Sequence, residues 1–160
     1  MSSAAIYAGT FDPLTFGHLD LVARAAHIFD RLILAVASSR RKHPLFTMEE
    51  RVAMAREILM DYENVEVDAF EGLLVDYAHA KGVHVIIRGL RAFSDFENEF
   101  QMALTNRQLA PDIETIFLMP KENFSYISSS AVREIVEMGG DARSFVPDIV
   151  QRALERKVGA

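Results

Sequence analysis

The alternation of short apolar runs with stretches of helical periodicity is what most narrows the folds open to this sequence. Residues 32–37, Leu-Ile-Leu-Ala-Val-Ala, are apolar without a break, as a strand is when both faces of its sheet are covered. Residues 4–8, 65–70, 83–88 and 114–119 read as four further strands, bounded by turn-forming or polar residues. Between the first two, Leu19, Val22, Ala26 and Phe29 recur at helical spacing within 18–29. Thr47-Met48-Glu49-Glu50 has the form of a capping box and opens a helix reaching about Met60. Gly82 ends a helix over 73–81, and helices are also expected over 94–109, 129–138 and 146–156. A strand that returns to a parallel neighbour needs a long, generally helical crossover. The pattern therefore predicts an α/β fold, a doubly wound parallel sheet with helices on both faces.

Bulk properties restrict what such a domain can do. The 160 residues are 50% hydrophobic and 25% charged and contain no linker or low-complexity segment, so residues 1–160 are expected to form a single domain with a sizeable core. A formal net charge of −6 argues against a broad nucleic-acid or acidic-membrane surface, which would need a surplus of Lys and Arg. Any phosphate site must be local. With no cysteine, disulfides, thiolate metal sites and Cys nucleophiles are excluded. The N-terminus lacks the basic start and apolar run of a signal peptide, and no stretch approaches ~20 uninterrupted apolar residues. A cytoplasmic location is expected. In a Rossmann-like sheet, ligands bind outside the carboxyl ends of the strands, so the loops there repay attention.

The first such loop, Gly9-Thr10-Phe11-Asp12-Pro13-Leu14-Thr15-Phe16-Gly17-His18, joins the first strand to the first helix. Gly9 lets backbone approach a ligand, Pro13 stiffens the loop, and Gly17 removes a side chain just before an imidazole at the helix start. Free N–H groups at that start favour anions, and His18 there can donate to a phosphoryl oxygen as charge builds in a transition state. Its structural alternative is that Thr15 caps the helix and His18 is a surface residue. Lys42 lies in the basic loop Arg40-Arg41-Lys42-His43-Pro44, which can equally be a solvated turn. Arg88-Gly89-Leu90-Arg91 closes the fourth strand with two guanidinium groups able to grip phosphate oxygens. Pairing with Asp95, Glu97 or Glu99 is the alternative for these arginines. Near the far end of the chain, Ile127-Ser128-Ser129-Ser130 leads into another helix, whose hydroxyls and N–H groups suit nucleotide phosphates. Plain N-capping would need one Ser and not three.

The first loop, with Thr15-x-Gly-His18, resembles the Thr/His-x-Gly-His signature of the nucleotidylyltransferase superfamily, and Ile127-Ser-Ser-Ser130 resembles its second nucleotide motif. Thr in the first position, with Arg88 to Arg91, resembles phosphopantetheine adenylyltransferases. Asn98 stands where that family is expected to carry Tyr. The resemblance implies transfer of AMP from ATP to 4'-phosphopantetheine in coenzyme A synthesis. It gives His18, Thr10, Lys42 and Arg91 catalytic roles, with His18 stabilising the transition state. It implies ATP contacts from Thr10, Phe11, His18, Gly89, Leu90, Arg91, Glu99, Phe124, Ser125, Tyr126, Ile127, Ser128, Ser129 and Ser130. Thr10, Lys42, Leu74 and Arg88 would contact the acceptor. Mg2+ is expected on the ATP phosphates, with no dedicated protein metal ligands. A homohexamer and feedback binding of coenzyme A are also implied, with no nucleic-acid or membrane partner.

Two rivals share the architecture. Another nucleotidyltransferase, acting on nicotinamide mononucleotide or transferring a cytidylyl group, would keep the mechanism and change the acceptor. A dinucleotide-dependent oxidoreductase would need the Gly-x-Gly-x-x-Gly fingerprint, which is lacking here. A nucleotide-binding regulator without catalysis is a third reading, disfavoured by His18, Lys42 and Arg91 occurring together. His27, His43, His79 and His84 show no ligand spacing and are read as structural or solvated.

Overall fold

The structure, a computed structural model, describes residues 2–38, 43–91 and 95–159. Five strands, β1 (Ala4–Gly9), β2 (Arg31–Ala37), β3 (Val65–Phe70), β4 (Val85–Gly89) and β5 (Glu114–Leu118), form one sheet in the order β3-β2-β1-β4-β5. Every pairing is parallel. The crossovers are α1 (Phe16–Ile28), α2 (Met48–Ile58), α3 (Leu74–Lys81) and α4 (Asp95–Leu109). A single 3-10 turn, Glu122–Phe124, then leads to α5 (Ser129–Glu137) and α6 (Asp148–Val158). The α/β reading and the strand–helix alternation are borne out.

β1 shows how the sheet is covered on both sides. Ala5 and Tyr7 face Leu21, Val22 and Ala25 of α1, in a cluster completed by Val52 and Ala55 of α2. Ile6 and Ala8 point the other way, against Val75 and Ala78 of α3 and against Ala110 and Ile113. Ile6, Leu32, Ile33, Leu34, Ile86 and Ile87 are fully buried; each contributes ~1.5–3 kcal/mol of transfer free energy. A third cluster lies under α5 and α6, where Ile127, Val132, Val136, Val146, Val150 and Leu154 surround Phe46.

Helix ends follow their local chemistry. Thr47 and Glu50 make the reciprocal capping box expected of them. Gly82 takes φ 67°, and the following Val83 N–H bonds back to Ala78 O at 3.0 Å. Val83 thus serves the helix cap, and β4 starts at Val85 and not at residue 83. The chain winds outward from β1 to β3 and then returns to β4 on β1's other side. The direction of winding reverses between β1 and β4, so their carboxyl ends, Gly9 and Gly89, flank the crevice where such sheets hold ligands.

Candidate active site

Thr15 and His18 are locked together at the start of α1. The Thr15 side chain accepts from the His18 N–H, and the Thr15 N–H donates to His18 Nδ1 at 3.0 Å. The capping and functional readings of these two residues are therefore not alternatives. With Nδ1 used as an acceptor, the neutral imidazole carries its proton on Nε2. Burial, reinforced by the charges of Arg91 and Arg88, pushes the His18 pKa down to about 3, so near neutral pH the ring is an uncharged donor. Phe11 packs edge-on against both His18 and Tyr7, with ring centroids 5.0 and 5.3 Å away. Its ring lies over Gly9, where an added Cβ would approach to 3.0 Å. Phe11 itself is buried and takes φ 51°, a conformation that costs a bulky residue ~1–3 kcal/mol and persists only where its surroundings enforce it.

Those surroundings are built from charges that the sequence did not single out. Asp12 is 1% exposed, and its two carboxylate oxygens accept from the N–H groups of Phe46 and Leu45 at 2.9 and 3.0 Å. Arg133 of α5 donates to the Asp12 carbonyl. Arg51 of α2, 3% exposed, donates to the carbonyls of Thr10, Ala37 and Phe46. Ser129 Oγ donates to Pro13 O at 2.8 Å. The first loop is thus held by α2 and α5 through partners up to 121 residues away, and a local motif carries no signal of this.

At the end of β4, Arg88 forms a two-pronged pair with Glu99 of α4 at 2.7 and 2.8 Å and also donates to Ala8 O. The ion pair weighed against a phosphate role for Arg88 is thus present, and it joins two residues expected to contact different substrates. Leu90 N–H bonds to Leu118 O at 3.0 Å. Arg91 Nη1 reaches Ile127 O at 3.2 Å, linking the Arg-Gly-Leu-Arg segment to the serine motif. Gly89 also makes room for packing, because a Cβ there would run into Leu21 Cδ1 of α1.

The three serines have three different duties. Ser128 caps α5 by accepting from Ala131 N–H, Ser129 holds Pro13, and Ser130 accepts from Arg133. Just upstream, Phe124 packs beside Phe16 at 6.0 Å, Ser125 Oγ donates to Glu122 O, and Tyr126 is 68% exposed. Leu74 lies on the first turn of α3, partly buried against the second cluster. Lys42 lies outside the described residues. His79 and His84, which share no motif, both bond to Asp112, each at 3.1 Å; His84 immediately precedes β4, at the end of the sheet away from the crevice.

The switch point between β1 and β4 has near it the neutral imidazole of His18, the guanidinium groups of Arg88 and Arg91 and the serine-led start of α5, an arrangement suited to a nucleotidyl-transferring class of α/β protein. A family model described as cytidylyltransferase-like matches residues 6–135. The chain is 58% identical to a phosphopantetheine adenylyltransferase of Alkalilimnicola ehrlichii, over 98% of this chain and 91% of that one. It is 59% identical to that of Methylococcus capsulatus, over 98% and 97%. The chain belongs to the phosphopantetheine adenylyltransferase family. Solved structures share the fold at low identity. One is a putative nicotinate-nucleotide adenylyltransferase from Vibrio parahaemolyticus (TM-score 0.68, 16% identity, covering 96% of this chain and 99% of that one). Another is a bifunctional NMN adenylyltransferase/ADP ribose pyrophosphatase from Francisella tularensis, complexed with AMP and a manganese ion (TM-score 0.73, 17% identity, covering 100% and 50%).

Proposed function

We propose that this chain transfers AMP from ATP to 4'-phosphopantetheine, giving dephospho-CoA and pyrophosphate in coenzyme A synthesis. The observation that carries this reading is the joining of the two motifs and the β4 end, through Ser129 on Pro13 and Arg91 on Ile127. An acceptor phosphate is already anionic near neutral pH and needs no base. One of its oxygens bonds to the α-phosphorus of ATP as the bond from that phosphorus to the β-phosphate oxygen breaks. The protein's task is to place two anions in line and offset their charge. His18, neutral and held through Nδ1, donates its Nε2 proton in a hydrogen bond to the developing charge, assisted by Thr10 and Arg91. Phe11, Gly89, Leu90, Glu99 and residues 124–130 complete the ATP site. Lys42, Arg88, Leu74 and Thr10 hold the acceptor.

Mg2+ is assigned to the ATP phosphates. The donor set fits this, because Asp12, the carboxylate of the first loop, has both oxygens occupied by backbone N–H groups. When bound, the ion offsets charge on the transferring phosphates. The reading takes residues 1–160 as one nucleotidyltransferase domain working in the cytoplasm; no helix among the described residues is long and apolar enough to cross a membrane. It also includes a homohexamer and feedback binding by coenzyme A. Incubating the protein with ATP, Mg2+ and a panel of phosphorylated acceptors tests the activity. Pyrophosphate release with 4'-phosphopantetheine is expected; an inert phosphopantetheine beside a reactive mononucleotide defeats the reading.

A further inference from the structure

The hydrogen bonds around Phe11 leave one donor conspicuous. Among the described residues, the Phe11 N–H has no hydrogen-bond acceptor. The carbonyl of the same peptide unit, that of Thr10, accepts from Arg51 Nη1 at 2.8 Å. In a trans peptide the C=O and N–H point in opposite directions, and the cis bond in this loop is the next but one, Asp12–Pro13. A guanidinium buried beneath the loop that draws the Thr10 carbonyl inward therefore turns the Phe11 N–H outward, at the carboxyl end of β1.

Arg51 has little freedom to do otherwise. The same Nη1 donates to Ala37 O at 2.8 Å, and Nε donates to Phe46 O at 3.1 Å. Its side chain is thereby fixed to the end of β2 and to the segment entering α2. Its hydrogen bonds among the described residues all go to backbone carbonyls. A cation on the carbonyl side of a peptide also polarises that peptide, so the Phe11 N–H becomes a stronger donor. Phe11 holds its φ of 51° with its ring packed on His18.

We propose that Arg51 is a positioning residue for adenylyl transfer, which acts through the Thr10 carbonyl to aim the Phe11 N–H at a phosphate oxygen of ATP. The proposal rests on the adenylyltransferase reading above for its kinetic consequence, and on ATP binding alone for its structural one. Arg51→Lys keeps the charge and replaces a planar fork by a single point donor. Its kcat is expected to fall about tenfold or more, with both KM values within roughly threefold and the variant still folded by circular dichroism at the assay temperature, as for a group felt mainly in the transition state. A folded variant with kcat within about twofold of the parent overturns the proposal. In the unsubstituted protein, hydrogen exchange at the Phe11 amide is expected to slow when Mg-ATP is added. Unchanged exchange overturns the proposal even if Arg51→Lys fails to fold. Protection of Phe11 by Mg-ATP in a protein that leaves 4'-phosphopantetheine unreacted supports the aim of this N–H while defeating the acceptor reading.

Discussion

His18 is defined by what its two ring nitrogens do: Nδ1 is engaged by Thr15, and Nε2 carries the proton. His18→Ala should lower kcat about 100- to 1,000-fold, the loss seen when one transition-state donor is removed, while ATP affinity measured by calorimetry changes little. The imidazole also makes stability depend on pH. Its pKa is about 3 in the folded chain against an ordinary 6.5, so between these values the unfolded chain binds a proton that the folded chain excludes. His18 therefore leaves stability intact above 6.5 and erodes it as pH falls from 6.5 toward 3. Urea unfolding near pH 7 and near pH 5 should show a larger loss for the parent than for His18→Gln, which preserves the capping box. Equal losses would contradict a neutral imidazole. The sequence made His18 legible because a local motif announces it. Asp12, Arg51 and Arg133 were not legible in the same way: each reaches partners 14 to 121 residues off, and a buried charge looks like a surface one until the chain is folded.

At the scale of elements, the strands and helices were readable because each advertises its own period and ends. Leu32 to Val36 are buried on both sides, Thr47 and Glu50 cap each other, and Gly82 stops α3 in the left-handed region. Gly89 carries a packing constraint that its local pattern does not show. α1 lies so close to β4 that Leu21 fills the space a side chain would take. Gly89→Ala should destabilise the protein by about 1–3 kcal/mol, the usual penalty of overpacking, as measured by denaturant unfolding. Trimming Leu21 to Val should recover part of that loss in the double variant; an additive double variant would show that the two residues do not meet.

At the scale of the molecule, α4 is out of keeping with a solvent-facing helix. Phe96 and Phe100 stack at 5.7 Å and, with Leu104 and Leu109, are each about half exposed. A second copy of the chain covering this face accords with the proposed homohexamer, since apolar groups clustered on one helix mark association surfaces. Leu104→Glu should then shift light scattering from the hexamer to a smaller species while leaving the monomer folded; an unchanged mass would place the interface elsewhere. Fold class and sheet type could be read from one chain because they follow from sequence order, but a face shared between copies has no partner within the sequence. The five strands all lie before residue 119, whereas Pro13 and Asp12 are held by Ser129 and Arg133, further along the chain. A chain that stopped short of α5 would contain every strand of the sheet yet lack these two contacts on its first loop.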